Sequence, residues 1–347
     1  MAAEPSPAGD AVLRHAIDAA RHTFRDADVV SAEPLGQGVG LLSSLTRVRF
    51  ADGSSVVVKA PAGDATARAI AVRFGYYARE AGTYRWLLPR PGVRAPRCHA
   101  VLDEPHGPVL VLEDLGHLRS GDQLAGASVD DAFRAAEQLA VLHAAFWDDP
   151  VLAACTWLPG PTDPVIAGYG ELFALTWDSF TARLAGRAPD EHFAAAQRAI
   201  GLFDDVCRRF ADAPRTLLHG DARLDNLLFE PDGSAIAIDW QLAAWGRGVY
   251  DLALFSAGSL ETDVRRACED ELVERYHRAL VERGVTRYTL EECRRDYRLA
   301  HVLNLPNPVT ALVAVPTANE RARMMLEANA RRALAAVADH EPMLADV

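Results

Sequence analysis

Hydrophobic and polar positions follow two different periods along this chain, and the change of period divides it. Residues 11–25 place Leu13, Ile17, Ala20 and Phe24 at helical spacing with charges between them. Residues 45–50 alternate instead. Thr46, Val48 and Phe50 fall on one face and Arg47 and Arg49 on the other, which predicts a half-exposed strand. Ala51-Asp52-Gly53-Ser54 reads as a hairpin turn and residues 55–59 as the return strand. A long helical pattern covers 64–88 until Pro89, Pro91 and Pro96 break it. Residues 99–103 and 109–112 predict two more strands around Glu104-Pro105-His106-Gly107. The sum is a small, mostly antiparallel sheet with one helix inserted.

Glu113-Asp114-Leu115-Gly116 ends the sheet and has the character of a hinge. From about residue 128 the period becomes helical: 130–147 carries Phe133, Ala136, Leu139, Leu142 and Phe146 at steps of three and four. Pro-rich residues 159–164 interrupt, and helices resume through Phe210. A short stretch then breaks the rule. Leu217-Leu218 leads into a polar loop, Leu227-Leu228-Phe229 leads out, Pro231-Asp232-Gly233-Ser234 is a turn, and 235–238 is a third apolar run. Loop, strand, turn, strand is the reading, and helical spacing returns afterwards to the end. The expected class is α+β: an N-lobe over 1–112 with a small antiparallel sheet, a hinge over 113–116, and a larger, mainly helical C-lobe over 117–347.

Composition narrows the partners. A length of 347 residues with half of them apolar fits two folded lobes. The formal charge of −12 argues against nucleic acid, whose backbone demands clustered Lys and Arg, and against anionic membranes. No apolar stretch has transmembrane length and no basic-then-apolar leader opens the chain. Cys98, Cys155, Cys207, Cys268 and Cys293 are scattered and odd in number, which reads as reduced thiols in a cytoplasm.

Against that background one segment stands out for its chemistry. His219-Gly220-Asp221-Ala222-Arg223-Leu224-Asp225-Asn226 is followed by Ile236-Ala237-Ile238-Asp239-Trp240. Phosphoryl transfer from ATP needs a carboxylate to orient the acceptor hydroxyl, plus a side-chain carbonyl and a second carboxylate to hold Mg2+. Asp221, Asn226 and Asp239 supply those groups in that order. A hairpin sets Asn226 at the start of one strand and Asp239 at the end of its partner, close enough to share a cation. The competing reading is a surface hairpin with solvated acids. In the first lobe, Val56-Val57-Val58-Lys59 ends an apolar strand in an ammonium, which requires a partner when buried. Glu80 is the candidate, since 65–79 contain no acid. Gly36, Gly38 and Gly40 permit backbone amides to approach phosphate oxygens, although the same glycines also make a plain flexible turn. The backbone of Glu113 and Leu115, at the hinge, is the expected seat of the base.

Taken in order, Lys59, Glu80, the hinge, the His219–Asn226 loop, Asp239-Trp240-Gln241 and Tyr250-Asp251-Leu252-Ala253 resemble the aminoglycoside phosphotransferase and choline kinase group, and most of all its ecdysteroid-kinase-like branch. Gly121-Asp122-Gln123-Leu124 and Leu139-Ala140-Val141-Leu142-His143-Ala144 also resemble that branch. The resemblance runs from about Leu35 to about residue 330. It implies a protein-kinase-like two-lobe fold and ATP-dependent phosphorylation of a small-molecule hydroxyl. By position, Asp221 is then the catalytic base, Asn226 and Asp239 the magnesium ligands, Lys59 the phosphate contact, and Asp251 a structural anchor of the loop. The Gly36-Gln37-Gly38-Val39-Gly40 spacing differs from that of protein kinases.

Other residues admit two readings. Arg223 either contacts the γ-phosphate or acceptor or fixes the loop by pairing with Asp225. His219 supports loop geometry, and His143 is a satisfied core histidine. Trp157, Trp177, Trp240 and Trp245 serve the core more readily than a pocket. For the acceptor, Tyr169, Trp177, Tyr297, His301 and Asn304 offer an apolar wall with a few hydrogen-bonding groups, and 301–316 contain no carboxylate. A largely uncharged, partly apolar alcohol is the expected substrate. The alternatives are a cationic substrate of the aminoglycoside or choline type, nucleotidyl transfer, and a non-catalytic nucleotide-binding protein.

Overall fold

The computed structural model describes residues 7–24, 27–35, 42–315 and 320–344. The chain forms two compact units, one of residues 1–118 with 240–242, the other of 119–239 with 243–347.

The first unit begins with α1 (Pro7–Thr23), β1 (Val29–Leu35), β2 (Ser43–Phe50) and β3 (Ser55–Pro61). It continues through α2 (Ala65–Arg73), α3 (Tyr76–Gly82), a π-helical turn at Thr83–Leu87, β4 (Cys98–Leu102) and β5 (Val109–Glu113). The strands make one antiparallel sheet in the order β1-β2-β3-β5-β4. The alternation read from 45–50 is the burial pattern observed. Val48 and Phe50 join Val56, Val58, Val109 and Val111 beneath Ala16, Ala19 and Ala20 of α1, while Arg47 and Arg49 turn outward to Glu33. Strand β1 was not expected, because it carries Pro34 and Glu33. Its place at the sheet edge tolerates a proline that cannot donate outward. The expected helix over 64–88 is divided. Asp64 caps α2 by accepting from Ala67 N–H, and Gly75, at φ +69°, turns the chain left-handed before α3.

Two details alter the expected boundary. Asp114 accepts from Arg47 and Ser55 and from the Gly116 amide, so the hinge residues are knotted into the sheet and this unit extends to Leu118. Trp240–Leu242 also belongs here. The Trp240 amide donates to Glu80 Oε1 at 3.2 Å and Leu242 packs on Tyr76 and Tyr77.

The second unit opens with β6 (Arg119–Ser120) and the helices α4 (Val129–Ala145), α5 (Val151–Ala154), α6 (Pro164–Leu184), α7 (Asp190–Ile200) and α8 (Phe203–Ala211). Four short strands follow: β7 (Thr216–Leu218), β8 (Leu227–Phe229), β9 (Ala235–Ala237) and β10 (Ala244–Gly246). The chain closes with α9 (Val249–Ser259), α10 (Thr262–Glu282), α11 (Leu290–Asn304), α12 (Pro306–Ala314) and α13 (Glu320–His340). Helix α4 packs on α10, α9 on α11, and α6 on α12, around Phe146, Phe180, Phe210, Phe255 and Tyr276. The predicted hairpin is present as β8–β9, with β6 added on its outer side. Strand β10, unforeseen in the sequence, pairs with β7 ahead of the polar loop.

Candidate active site

The loop after β7 is held by an internal carboxylate. Asp251, fully buried at the start of α9, accepts the His219 amide on Oδ2 at 2.6 Å and the Gly220 amide on Oδ1 at 3.0 Å. His143 of α4 lies 3.2 Å from the same Oδ2 through Nε2, and its Nδ1 lies 2.8 Å from the Tyr276 hydroxyl. A neutral imidazole with Nε2–H donating to Asp251 and Nδ1 accepting from Tyr276 satisfies all three groups. The core reading of His143 therefore holds, with a bond to the loop anchor that helical spacing alone did not reveal. His219 acts on loop geometry as expected. Its Nε2 meets the Ile238 carbonyl at 2.9 Å and its Nδ1 takes the Asp221 amide at 3.3 Å.

Asp221 projects from this anchored turn. Its Oδ2 accepts from Asn226 Nδ2 at 2.8 Å and from Arg223 Nε at 3.2 Å. Its Oδ1 makes no hydrogen bond among the described residues, and the side chain is 14% exposed. Arg223 also reaches Asp225 at 3.2 Å. Burial alone lowers the pKa of this guanidinium, but Asp221 and Asp225 outweigh it and hold the group above the ordinary arginine range. Bracing the loop is what the geometry shows for Arg223.

A second fastener escaped the sequence reading. Gln123 accepts the Leu224 amide on Oε1 at 2.8 Å, and its own amide N–H donates to Asp225 at 2.8 Å. Its Nε2 donates to the Gly258 carbonyl and to Asn329. Gly121-Asp122-Gln123-Leu124 stands out in the sequence only for its family resemblance, and the fold exposes the role of its third residue.

The β8–β9 register pairs Leu227 with Ala237, and the Ile238 amide donates to the Asn226 carbonyl at 2.9 Å. Asp239 follows directly. It adopts φ +66°, a left-handed conformation that Asp tolerates better than most residues and that gathers at functional positions. Because Asn226 donates through Nδ2, its Oδ1 remains an acceptor. One amide oxygen and one carboxylate fit Mg2+, which keeps several waters and takes few protein ligands. No cluster of three or more His, Cys, Asp or Glu suited to a metal occurs among the described residues.

In the first unit, Lys59 Nζ pairs with Glu80 at 2.8 Å and 2.7 Å to its two carboxylate oxygens, and both side chains are buried. The pairing inferred from the acid-free stretch is thus present. Gly36, Gly38 and Gly40 lie outside the described residues. The Glu113 amide donates to the Arg97 carbonyl at 2.8 Å, so the amide is not free to take part as expected. The Glu113 carboxylate pairs with Arg94, and Leu115 is buried.

The acceptor residues separate. Trp177 lines an open groove of about 1030 Å³ along α6, α7 and α8, stacked between Phe173 at 4.7 Å and Phe180 at 5.5 Å. Tyr169 of α6 is half-buried. Burial first, and then the charges of Asp251, Tyr169 and Asp221, hold the Tyr250 hydroxyl well above the ordinary tyrosine range. Tyr297 and His301 are buried among the helices of the second unit and do not line the groove along α6, α7 and α8. The Tyr297 hydroxyl bonds Ser256 at 2.7 Å, and the His301 ring stacks on His340 at 4.7 Å, with neither of its nitrogens hydrogen-bonded among the described residues. Asn304 is also buried, donating to the Tyr250 carbonyl at 3.0 Å.

With this geometry in view, the relatives are informative. The sequence model of the ecdysteroid kinase-like family matches residues 166–287. No curated protein matches the chain. Among solved structures, a choline kinase from Cryptosporidium parvum Iowa II is similar at 12% identity and TM-score 0.58, over 96% of either chain. A macrolide 2'-phosphotransferase from Brachybacterium faecium is similar at 19% identity and TM-score 0.50, over 92% of this chain and 96% of that one. A thermostable mutant of the aminoglycoside phosphotransferase APH(4)-Ia, in a ternary complex with ADP and hygromycin B, is similar at 13% identity and TM-score 0.51, over 92% and 97%. The fold is protein-kinase-like, with a small antiparallel sheet in the N-terminal region and a larger helical C-terminal region.

Proposed function

We propose that this protein transfers the terminal phosphoryl group of ATP to a hydroxyl group of a small molecule. The observation that carries the reading is the state of Asp221. Two donors converge on its Oδ2 and leave Oδ1 open on an anchored, partly exposed loop. Asp221 Oδ1 orients the acceptor hydroxyl and takes its proton as the oxygen–phosphorus bond forms and the bond to the β-phosphate oxygen breaks, releasing ADP. Lys59, fixed by Glu80, neutralises charge on phosphate oxygens. Asn226 and Asp239 are the residues that would hold Mg2+, which supplies further charge neutralisation when bound. All five cysteines are free, which supports a reducing compartment, the cytoplasm.

For the acceptor, the stacked Phe173 and Trp177 beside small residues such as Ala167, Gly168 and Gly170 favour a largely uncharged, partly apolar alcohol. One observation favours a second reading. Glu171, Asp178 and Asp204 line the same groove, and no ion pair engages them among the described residues. They would suit an amine-bearing alcohol. Incubating the protein with Mg-ATP and a panel of sterol-like and polyketide alcohols, choline and kanamycin, and reading ADP release together with the mass of one added phosphoryl group, separates the two. Phosphorylation of neutral alcohols is expected. Efficient turnover of kanamycin with none on neutral alcohols overturns the acceptor class, and AMP in place of ADP overturns phosphoryl transfer. Asp221→Asn should bind nucleotide normally and turn over roughly two to four orders of magnitude more slowly. Turnover within a few-fold of the wild type removes Asp221 from the role of base.

A further inference from the structure

Helix α9 grips the loop that carries Asp221 at both ends. Asp251, in the first turn of the helix, takes the His219 and Gly220 amides, and Ser259, its last residue, takes the Leu224 amide on Oγ at 3.0 Å. The eight residues from Asp251 to Ser259 set these grips about 12 Å apart along the helix axis. Asp221 lies between them in sequence. Leu224 stands between Arg223 and Asp225, the residues that brace Asp221. The Ser259 side chain is buried, and its hydroxyl donates to Gln123 Oε1 at 3.3 Å. That same Oε1 accepts the Leu224 amide at 2.8 Å, so one N–H sits in a cradle of two oxygens. One acceptor already satisfies an amide proton, and the second oxygen fixes its direction. The two sides of the cradle are themselves joined. Arg332 of α13, also buried, donates from Nη1 to the Gln123 carbonyl at 2.7 Å and to the Gly258 carbonyl at 3.0 Å. Its Nη2 donates to the Leu124 carbonyl at 3.2 Å and to the Glu261 carboxylate. The Ala127 amide adds a bond to the Ser259 carbonyl at 2.7 Å. The backbone presenting Ser259 is thereby pinned to the backbone presenting Gln123.

We propose that Ser259 is a positioning residue for phosphoryl transfer, fixing the far side of the loop so that Arg223 and Asp225 keep Asp221 in its working orientation. It touches no reacting atom. This rests on the phosphotransferase reading above.

Ser259→Ala removes one oxygen of the cradle and leaves the Leu224 amide its bond to Gln123, so the fold should stand. ADP release from Mg-ATP is read with water as the acceptor and with the panel alcohol turned over fastest. Per folded molecule, kcat should fall about ten-fold, the scale of one lost hydrogen bond, while KM stays within about two-fold. Ser259→Cys, close in size but a poor acceptor, should be as slow, and it serves if the alanine variant does not fold. Hydrogen exchange at the Leu224 amide should quicken about ten-fold in either variant, while exchange at Gly220, held by Asp251, stays as in the wild type. A kcat within two-fold of the wild type, a change carried by KM alone, or a loss of stability with kcat per folded molecule intact assigns Ser259 a merely structural role and overturns the proposal. Unchanged exchange at Leu224 overturns it as well. If the wild type releases no ADP with either acceptor, the phosphotransferase reading itself falls, whereas exchange at Leu224 still decides whether Ser259 holds the loop.

Discussion

Replacing Asp251 by Asn is nearly isosteric, yet it should be among the most damaging single changes in the chain. Three donors converge on this carboxylate: the His219 and Gly220 amides and, in the satisfied tautomer, His143 Nε2–H. A carboxylate accepts on both oxygens, whereas a carboxamide must offer N–H at one of them. The less harmful orientation keeps the oxygen toward His219 and His143 and points the NH2 at the Gly220 amide. One charge-assisted bond is then lost, the remaining two lose their charge, and two donors face each other at a fully buried site. Charged hydrogen bonds contribute about 1.5–3 kcal/mol and an unsatisfied buried group costs about 1–3 kcal/mol, so a total near 3–4 kcal/mol is expected. That is a large share of the 5–15 kcal/mol typical of a folded protein. Urea unfolding followed by far-UV circular dichroism measures it as a fall in the midpoint. Turnover, assayed below the unfolding transition, should drop by roughly ten- to a hundred-fold, because Asp221 lies one residue beyond the released amide. A loss under 1 kcal/mol with turnover intact would mean that the loop is held by something other than this carboxylate, and Gln123 would be the first place to look.

Two further outcomes follow from other parts of the molecule. Asp239→Ala should leave the fold standing and abolish the extra thermal stabilisation that Mg2+ adds to ATP, since its proposed role is ligation; a melting curve in which Mg-ATP still stabilises the variant as much as the wild type refutes that role. His301 titrates well below the ordinary histidine range, held there by burial first and then by His340 and Arg265. Because the folded form resists protonation and the unfolded form does not, its contribution is complete above about pH 6.5 and is lost as pH falls, by at most about 1.4 kcal/mol per pH unit. His301→Phe should flatten the fall in urea-derived stability between about pH 6.5 and 5, and an unaltered slope refutes the assignment.

Much of the site was legible because its residues obey local rules. A strand ending in Lys59 with a single available acid on the next helix left little choice of partner. A loop, strand, turn and strand predicts Asn226 and Asp239 at the open end of one hairpin, and the β8–β9 register is consistent with that. Legibility failed where a residue's role depends on distant chain. Tyr297 and His301 sit on a helix whose polar and aromatic spacing is the same whether that face meets a pocket or another helix, and α9 and α13 decided for the core. Gln123 gathers bonds from residues a hundred or more positions away, so nothing beside it announces them. Strand β1 was obscured by Pro34, a residue that argues against a central strand but is tolerated at a sheet edge. The division at Gly75 is an instance of a glycine inside a helical pattern whose left-handed turn only the backbone reveals.

Residues 240–243 are all that separate Asp239 from β10, and the first three of them are fastened to the N-terminal unit. So short a connection has no slack to carry a phosphorylation site out into solvent or to fold back over a substrate. The backbone after Asp239 is committed to Glu80 within a single residue, so a change at Trp240–Leu242 should be felt at the Lys59–Glu80 pair.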